Sequence, residues 1–297
     1  MPEPPCAVIR RLRRLLPGVL LAAVVLPAAC TLAEAAGAVA VEVGRRVLVD
    51  NARKNFGDYA DSAALFIDVL FAHVQPIDER PRLDLPERAP TPTPQVLSAQ
   101  DGLEVATVRE TKVGGSWVAV ALQDGDVVRD GRGDPEGGDN LKIRITPSTD
   151  GYVYAAWIDA TAWIKPLHPF CEDESFANPV RAGQTIEVPS GELWFELDEN
   201  RGIETLYVLF SRAPRPDLEA ALRPLVSLER PIVAVDGGAL ATVEQTADIS
   251  RGLGRRRPGR SATVITSDGT AHPVTPTLFE PAAGAADLVV TRWFRHE

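Results

Sequence analysis

The sequence predicts a mainly β protein, with a sandwich-like β-domain preceded by a helical segment and a proline-rich linker. Three observations predict this fold class. Residues 141–146 alternate between apolar and polar side chains, which is typical of a strand with one buried face. The runs 152–158 and 206–210 are apolar on both faces, as in covered central strands. Turn sequences rich in glycine and proline, such as 147–151, separate short strands.

The N-terminal segment has the pattern of an export signal. Four arginines between positions 10 and 14 precede an apolar run, 15–29, which ends in two alanines. A basic start, a short apolar middle and a small-residue exit are typical of a signal peptide. A membrane-spanning helix needs about 20 apolar residues, more than this run contains. We therefore expect residues 1–29 to be a signal peptide that is removed on export.

Cys30 directly follows the two alanines, and the segment resembles a bacterial lipoprotein signal. In such signals the cysteine is lipidated and becomes the new N-terminus. Pro27 stands where that pattern usually has Leu, Val or Ile, which leaves open ordinary cleavage near residues 33–36. The expected location is the cell envelope. Lipid on Cys30 would hold the protein to a membrane, facing the periplasm or the outside.

Composition excludes some classes of function. Without residues 1–29 the chain keeps 27 basic and 40 acidic side chains, a net charge of about −13. This strongly negative charge argues against nucleic-acid binding, which needs a basic surface to bind phosphates. Cys171 is then the cysteine left besides Cys30, so we expect no intrachain disulfide framework. Cys171 is predicted to be a small buried side chain rather than a reactive thiol.

The composition divides the chain after the signal into four parts. Residues 30–74 are predicted to be helical and to pack on the main domain, and residues 75–100 to be the proline-rich linker. The β-domain spans 101–228, and a C-terminal β segment follows at 229–297.

Further elements are expected inside the last two parts. They are a strand at 193–197, a helix at 216–228 that Pro224 ends or kinks, strands at 262–266 and 288–294, and a hairpin turn at 267–270.

The central part of the chain resembles the bacterial domain of unknown function family 4384. The resemblance rests on the runs 140–154, 166–169, 180–189 and 202–211, and covers roughly residues 138–215. It implies a small, mainly β module found in secreted or membrane-linked bacterial proteins, sometimes beside protease or kinase domains. It implies no catalytic residue and no known ligand.

Most residues of these motifs have structural explanations. Gly151 and Gly183 suit turns that need an unusual φ. Tyr152 and Tyr154 are expected on one strand face, packing a core. Glu204 precedes an apolar strand, and we expect it to accept hydrogen bonds from turn amides rather than to bind a ligand.

No constellation of residues predicts a catalytic or metal site. The acidic loop 124–139 lacks the spacing of a calcium-binding EF-hand and is interpreted as a solvated hairpin loop. His73, His168, His272 and His296 have no metal-ligand spacing to one another or to Cys171. We therefore expect no metal, no cofactor and no catalytic residue.

A basic run near the C-terminus is the sharpest local charge feature. Its five arginines are candidates for binding an anion, anionic lipid or an acidic partner, the alternative being a mobile surface loop that offsets the acidic body. They are Arg251, Arg255, Arg256, Arg257 and Arg260.

The function expected from these observations is that of a non-enzymatic binding or scaffold module. It would be an envelope protein, anchored through Cys30, whose partner is an unidentified protein or glycan. Two alternatives stay open: a regulatory or sensory accessory of a secretion or signalling system, and an exported hydrolase with a dispersed active site.

Overall fold

The computed structural model describes residues 46, 49–50, 59–72, 95–98, 100–131, 137–171, 174–175, 177–227 and 253–297. The expected signal peptide, Cys30 and most of the expected linker lie outside these residues. The elements in chain order are α1 (Tyr59–Ala72), β1 (Leu103–Val113), β2 (Ser116–Ala121), β3 (Val127–Val128), β4 (Asn140–Pro147), β5 (Tyr152–Ile158), β6 (Ile164–His168), β7 (Phe170–Cys171), β8 (Glu174–Ser175), β9 (Ile186–Val188), β10 (Phe195–Glu196), β11 (Gly202–Ser211), α2 (Pro216–Val226), β12 (Leu253–Pro258), β13 (Ala262–Ile265), β14 (Ala271–Val274), β15 (Thr277–Pro281) and β16 (Asp287–His296).

Two sheets hold most of these strands, as a mainly β, sandwich-like fold requires. The larger sheet has seven strands in the order β10-β4-β1-β15-β12, with β2 also paired to β1 and β9 to β4. The smaller sheet has five strands in the order β3-β16-β11-β5-β6. The predicted fold class is therefore confirmed.

The apolar faces of the two sheets bury one common core. Ile143 and Ile145 of β4 and Phe279 of β15 meet Val208 and Phe210 of β11, and all five are fully buried. Burying one such side chain completely contributes about 1.5–3 kcal/mol, so this interface supplies much of the driving force for folding.

The other face of the smaller sheet is covered by helices. Tyr207 and Leu209 of β11 pack with Ile67 of α1 and with Leu218 and Leu222 of α2. Strand β11 therefore alternates between two cores, one facing the larger sheet and one facing the helices. This explains why its sequence is apolar at consecutive positions, and the predicted central strand is confirmed.

The C-terminal segment supplies strands to both sheets. β15 pairs with β1 and β12 in the larger sheet. β16 pairs with β11 over its whole length, from Gly202 opposite His296 to Ser211 opposite Asp287. Residues after 253 therefore complete the same sandwich to which β4, β5 and β11 belong.

Local predictions have mixed outcomes. The hairpin turn is confirmed, because β13 and β14 pair across 266–270. The strand predicted at 193–197 is shorter, since only Phe195 and Glu196 pair with β4. The helix predicted at 216–228 ends at Val226. Pro224 lies inside this helix and does not end it, and Leu225, the next residue, is buried in the core.

The predicted polar face of β4 is partly covered. Lys142 is buried, its Nζ donating to the Gly191 carbonyl oxygen and lying 5.0 Å from the centre of the Trp194 ring. Burial lowers the pKa of Lys142, with nearby carboxylates such as Glu187 acting against it. The residues after β9 thus cover part of the face expected to meet water.

Two glycines of the family motifs have different roles. Gly183 has a φ of 74°, as expected for a turn that favours glycine. Gly151 is not among the residues with positive φ, so the expectation was wrong for it. A Cβ on Gly151 would lie 2.5 Å from Cε2 of Phe210, and close packing against this ring explains the glycine.

Replacing Phe210 by alanine should strongly destabilise the fold, because the ring fills the interior between the sheets. We expect a loss of about 3–5 kcal/mol in the free energy of unfolding, measured by urea denaturation that is monitored by circular dichroism. Leu193→Ala is the control, since Leu193 is 64% exposed and should change the value by less than about 0.5 kcal/mol. Equal losses in the two variants would contradict the assignment of this core.

Candidate functional site

A cleft of about 320 Å³ opens where the end of β5, the short strand β10 and the end of β16 come together. It combines aromatic walls with several carboxylates and two basic side chains. We call this cavity the cleft. It is lined by Trp157, Asp159, Trp163, Lys165, Phe195, Glu196, Leu197, Asp198, Glu204 and His296.

Three neighbouring strands place the floor of the cleft. Trp157 of β5 lies opposite Leu206 of β11, and His296 of β16 lies opposite Gly202. Because side chains two residues apart share a face, Glu204 lies diagonally between Trp157 and His296 on the face of β11 that Leu206 occupies.

Glu204 is buried at this floor and is held by its two neighbours. The Trp157 indole nitrogen donates a hydrogen bond to Oε2, and Nδ1 of His296 lies 3.8 Å from Oε1. Burial raises the pKa of Glu204 to about 7, and the negative charge of Asp159 adds to the rise, while the contacts of His296 and Trp157 act against it. The carboxyl therefore changes its charge near neutral pH.

The structure shows a different donor to Glu204 from the expected turn amides, and whether the residue is structural or binds a ligand stays a prediction. Its hydrogen-bond donor is a side chain of the neighbouring strand and not a turn amide. Because β11 carries Glu204 into the end of the sandwich interior, the nearest donors are those that β5 and β16 bring to the same face.

One ring nitrogen of His296 is a hydrogen-bond acceptor to which no described residue donates. Its Nδ1 lies 3.1 Å from the carbonyl oxygen of Asn200, an arrangement in which Nδ1 carries the proton and donates. In the neutral imidazole Nε2 is then an acceptor, and it has no hydrogen-bond partner among the described residues. The side chain is only 2% exposed, so this lone pair is not compensated by bulk water.

Asp159 organises the turn that forms one wall. Its Oδ1 accepts hydrogen bonds from the backbone nitrogen and hydroxyl of Thr161, at 2.7 and 2.6 Å, and from the nitrogen of Trp163 at 3.0 Å. Ala162 has a φ of 69° in this turn, a conformation that usually favours glycine. The carboxylate of Asp159 thus fixes Trp163 and the start of β6.

Aromatic rings form the other walls. Trp157 meets Phe195 edge to face, with ring centres 6.1 Å apart, and meets Phe294 in the same way at 5.3 Å. Nζ of Lys165 lies 4.8 Å from the centre of the Phe195 ring, a cation–π contact inside the cleft. The rings are therefore fixed against one another and already receive one ammonium group.

The basic run lies elsewhere, on the edge strand β12 and just after it. Arg255 and Arg257 both bind Glu280, each through Nε at 2.7 Å. Arg256 pairs with Asp124 at 3.5 Å, and Arg260 with Glu104 at 3.5 Å. Each of these four arginines faces a carboxylate within the domain. Arg251 lies outside the described residues.

Three described carboxylates of the acidic loop have partners within the domain. Asp124 binds Arg292 at 3.1 Å, Asp130 binds Arg201 at 3.1 Å, and Asp139 accepts from the nitrogen of Arg129. Residues 132–136 lie outside the described part. Within the described residues, no three His, Cys, Asp or Glu side chains are grouped to hold a metal ion. The backbone of Cys171 lies in β7, and its side chain is outside the description.

Sequence reasoning singled out Glu204 but missed the cleft around it. His296 was considered only as a metal ligand, and Trp157, Asp159 and Phe195 were not connected with it. One sequence signal was present: Glu204 is an acidic residue near the start of β11, directly before a long apolar run.

Glu204 should make stability depend on pH. Below its ordinary pKa of 4.5 the carboxyl is protonated in both folded and unfolded chains. Between pH 4.5 and about 7 the unfolded chain releases this proton while the folded protein keeps it, so stability falls as the pH rises over this window. Glutamine cannot ionise, so Glu204→Gln should abolish this pH-dependent fall in the free energy of unfolding, which is on the order of a few kcal/mol.

The measurement is urea unfolding of both proteins from pH 4.5 to pH 8, the window set by the pKa shift of Glu204. Glu196→Gln is the matched control, because it removes an exposed carboxylate of the same cleft. Parallel curves for the natural chain and the Glu204 variant would show that burial of Glu204 imposes no such cost.

Comparisons with known proteins identify part of the chain. No curated protein and no solved structure matches it. In the described chain, no helix has the length and apolar character needed to cross a membrane. Every residue that lines the cleft except His296 falls between positions 136 and 214. Residues 136–214 match the family described as "Domain of unknown function (DUF4384)", which confirms the resemblance to that family.

Proposed function

We propose that this chain is an exported, lipid-anchored protein of the cell envelope, and that its β-domain is a non-enzymatic binding module with the cleft as its ligand site. The observation that carries the proposal is the cleft itself. It joins an apolar concave surface to a few fixed polar groups, the combination typical of ligand sites.

The rigidity of the cleft supports binding. Glu204 is held by Trp157, Asp159 by its turn, and Trp157 by two aromatic neighbours. Side chains fixed in this way lose little conformational freedom when a ligand arrives, so less of the interaction energy is spent on ordering.

The proposed location in the cell envelope is supported by the sequence of residues 10–30. Four arginines, a short apolar run and two alanines before Cys30 form a signal of the lipoprotein type. Diacylation of this cysteine would give stable attachment, since two acyl chains bind a membrane firmly where one does not. The module would then meet partners outside the cytosol.

One observation favours a second function, that of an exported hydrolase acting on glycans. A carboxyl with a pKa of about 7 is suited to act as a general acid, and Asp159 supplies a second carboxylate in the same cleft. Turnover of a bound glycan that Glu204→Gln abolishes, with binding retained, would establish this alternative.

Replacing Cys30 by serine should release the protein from membranes, because serine offers no thiol for lipidation. We expect the natural chain from envelope fractions to begin at Cys30 and to carry added mass from acyl chains, and the variant to lack that mass and to remain in the aqueous phase of a detergent partition. Intact-mass analysis of both proteins provides the measurement. An unmodified Cys30 in membrane-derived protein would contradict lipid anchoring.

A photo-crosslinking amino acid at Leu197 should capture the ligand in intact cells, because Leu197 lines the cleft. Leu193 is the matched control, since it lies four residues earlier, is 64% exposed and does not line the cleft. We expect an adduct at position 197 that exceeds that at 193 and falls when Trp157→Ala is added. Equal adducts at both positions, insensitive to Trp157→Ala, would contradict a ligand site here.

A further inference from the structure

We propose that the cleft receives the side-chain ammonium group of a lysine from a partner protein. The inference rests on the proposed binding function and names the chemistry of its ligand. Three independent features of the cleft support it: its charge, an unpaired acceptor at its floor and an ammonium group already bound to one of its rings.

The charge of the cleft is negative. Four acidic side chains line it, against one lysine and one histidine, so the acidic groups exceed the basic ones even while Glu204 is protonated. Asp159 and Glu204 are buried, at 6% and 4% exposure, whereas Glu196 and Asp198 lie exposed at the mouth. Exposed carboxylates attract a cation over a distance, and buried ones interact more strongly once it arrives, because water screens them less.

His296, which lines the cleft, has one ring nitrogen without a hydrogen-bond partner among the described residues. With Nδ1 of His296 donating to the Asn200 carbonyl, Nε2 of the neutral ring offers a lone pair that no described residue uses. An ammonium group has three N–H donors and no acceptor, so it can satisfy such a group and a carboxylate together. A ligand that offers only acceptors would leave Nε2 uncompensated.

The chain itself shows how a lysine fits the aromatic wall. Nζ of Lys165 lies 4.8 Å from the centre of the Phe195 ring, within the range of a cation–π interaction. Lys165 thus occupies one face that a ligand ammonium group would use. It also competes electrostatically with a second cation, and this competition makes the sign of the ligand charge testable.

The experiment titrates the full chain carrying Cys30→Ser with matched probes and follows tryptophan fluorescence. The probes are Nα-acetyl-lysine amide, the same compound acetylated at Nε, and glucosamine with its N-acetyl counterpart. We expect the free lysine probe to bind about tenfold more tightly than its neutral counterpart, the equivalent of about 1.4 kcal/mol. Glu204→Gln should weaken the lysine probe severalfold.

Lys165→Gln provides the sharpest test, because the inference predicts a gain. Removing the resident ammonium group should tighten binding of the lysine probe about threefold or more, whereas it would weaken an anionic ligand. Lys112→Gln is the matched control, since Nζ of Lys112 also lies 4.8 Å from an aromatic ring, that of Trp117, but outside the cleft. This control should leave probe binding unchanged.

The outcomes separate the inference from the proposed function. Equal binding of charged and neutral probes, tighter binding of glucosamine than of lysine, or weaker binding after Lys165→Gln would overturn the lysine inference. Failure of the lysine probe at millimolar concentration, with the adduct at position 197 still present in cells, would overturn it while the binding function stands. Loss of both the probe signal and the adduct would overturn the binding function itself.

Discussion

The burial of β11 on both faces is the constraint on which the rest of this structure depends. Its alternate side chains enter two different cores, and its backbone pairs with β5 on one side and β16 on the other. Such a strand can exist only where a second sheet covers one face and helices the other, because each face is apolar. The larger sheet, α1 and α2 are all needed to meet this requirement.

The same strand determines the chemistry of the cleft. Glu204 lies near the start of β11, just before its long apolar run, so the strand carries the carboxyl into the low-dielectric interior. An ionised carboxylate there is unfavourable, which is why burial raises the pKa of Glu204 to about 7. Perturbed groups of this kind concentrate at functional sites, where stability is given up for binding or catalysis. The aromatic packing of Trp157 with Phe294 supplies the rigid setting in which that loss is tolerated.

Sequence reasoning recovered the parts of this fold that local pattern determines. The alternation of Leu141, Ile143 and Ile145 and the continuous apolar run of β11 define strand faces without knowledge of any partner. It failed where pairing over long distances decides. Glu204 meets His296 only because β16 pairs with β11 along its entire length, and no local pattern encodes that pairing. The arginines of β12 show the same limit, since Glu280 becomes their common partner through the pairing of β12 with β15.

Ligand charge and the protonation of Glu204 are thermodynamically linked if a cation occupies the cleft. A bound ammonium group favours the ionised carboxylate, so it lowers the pKa of Glu204 towards its ordinary value. By reciprocity, the cation binds more tightly to the ionised cleft, and affinity rises with pH across the range in which Glu204 titrates. The buried carboxyl that weakens the empty domain is then stabilised by its ligand. This gives a physical reason for an acidic group to occupy the end of a sandwich core. The carboxyl lowers the stability of the empty domain, and the same carboxyl makes the domain bind a cation in preference to a neutral ligand.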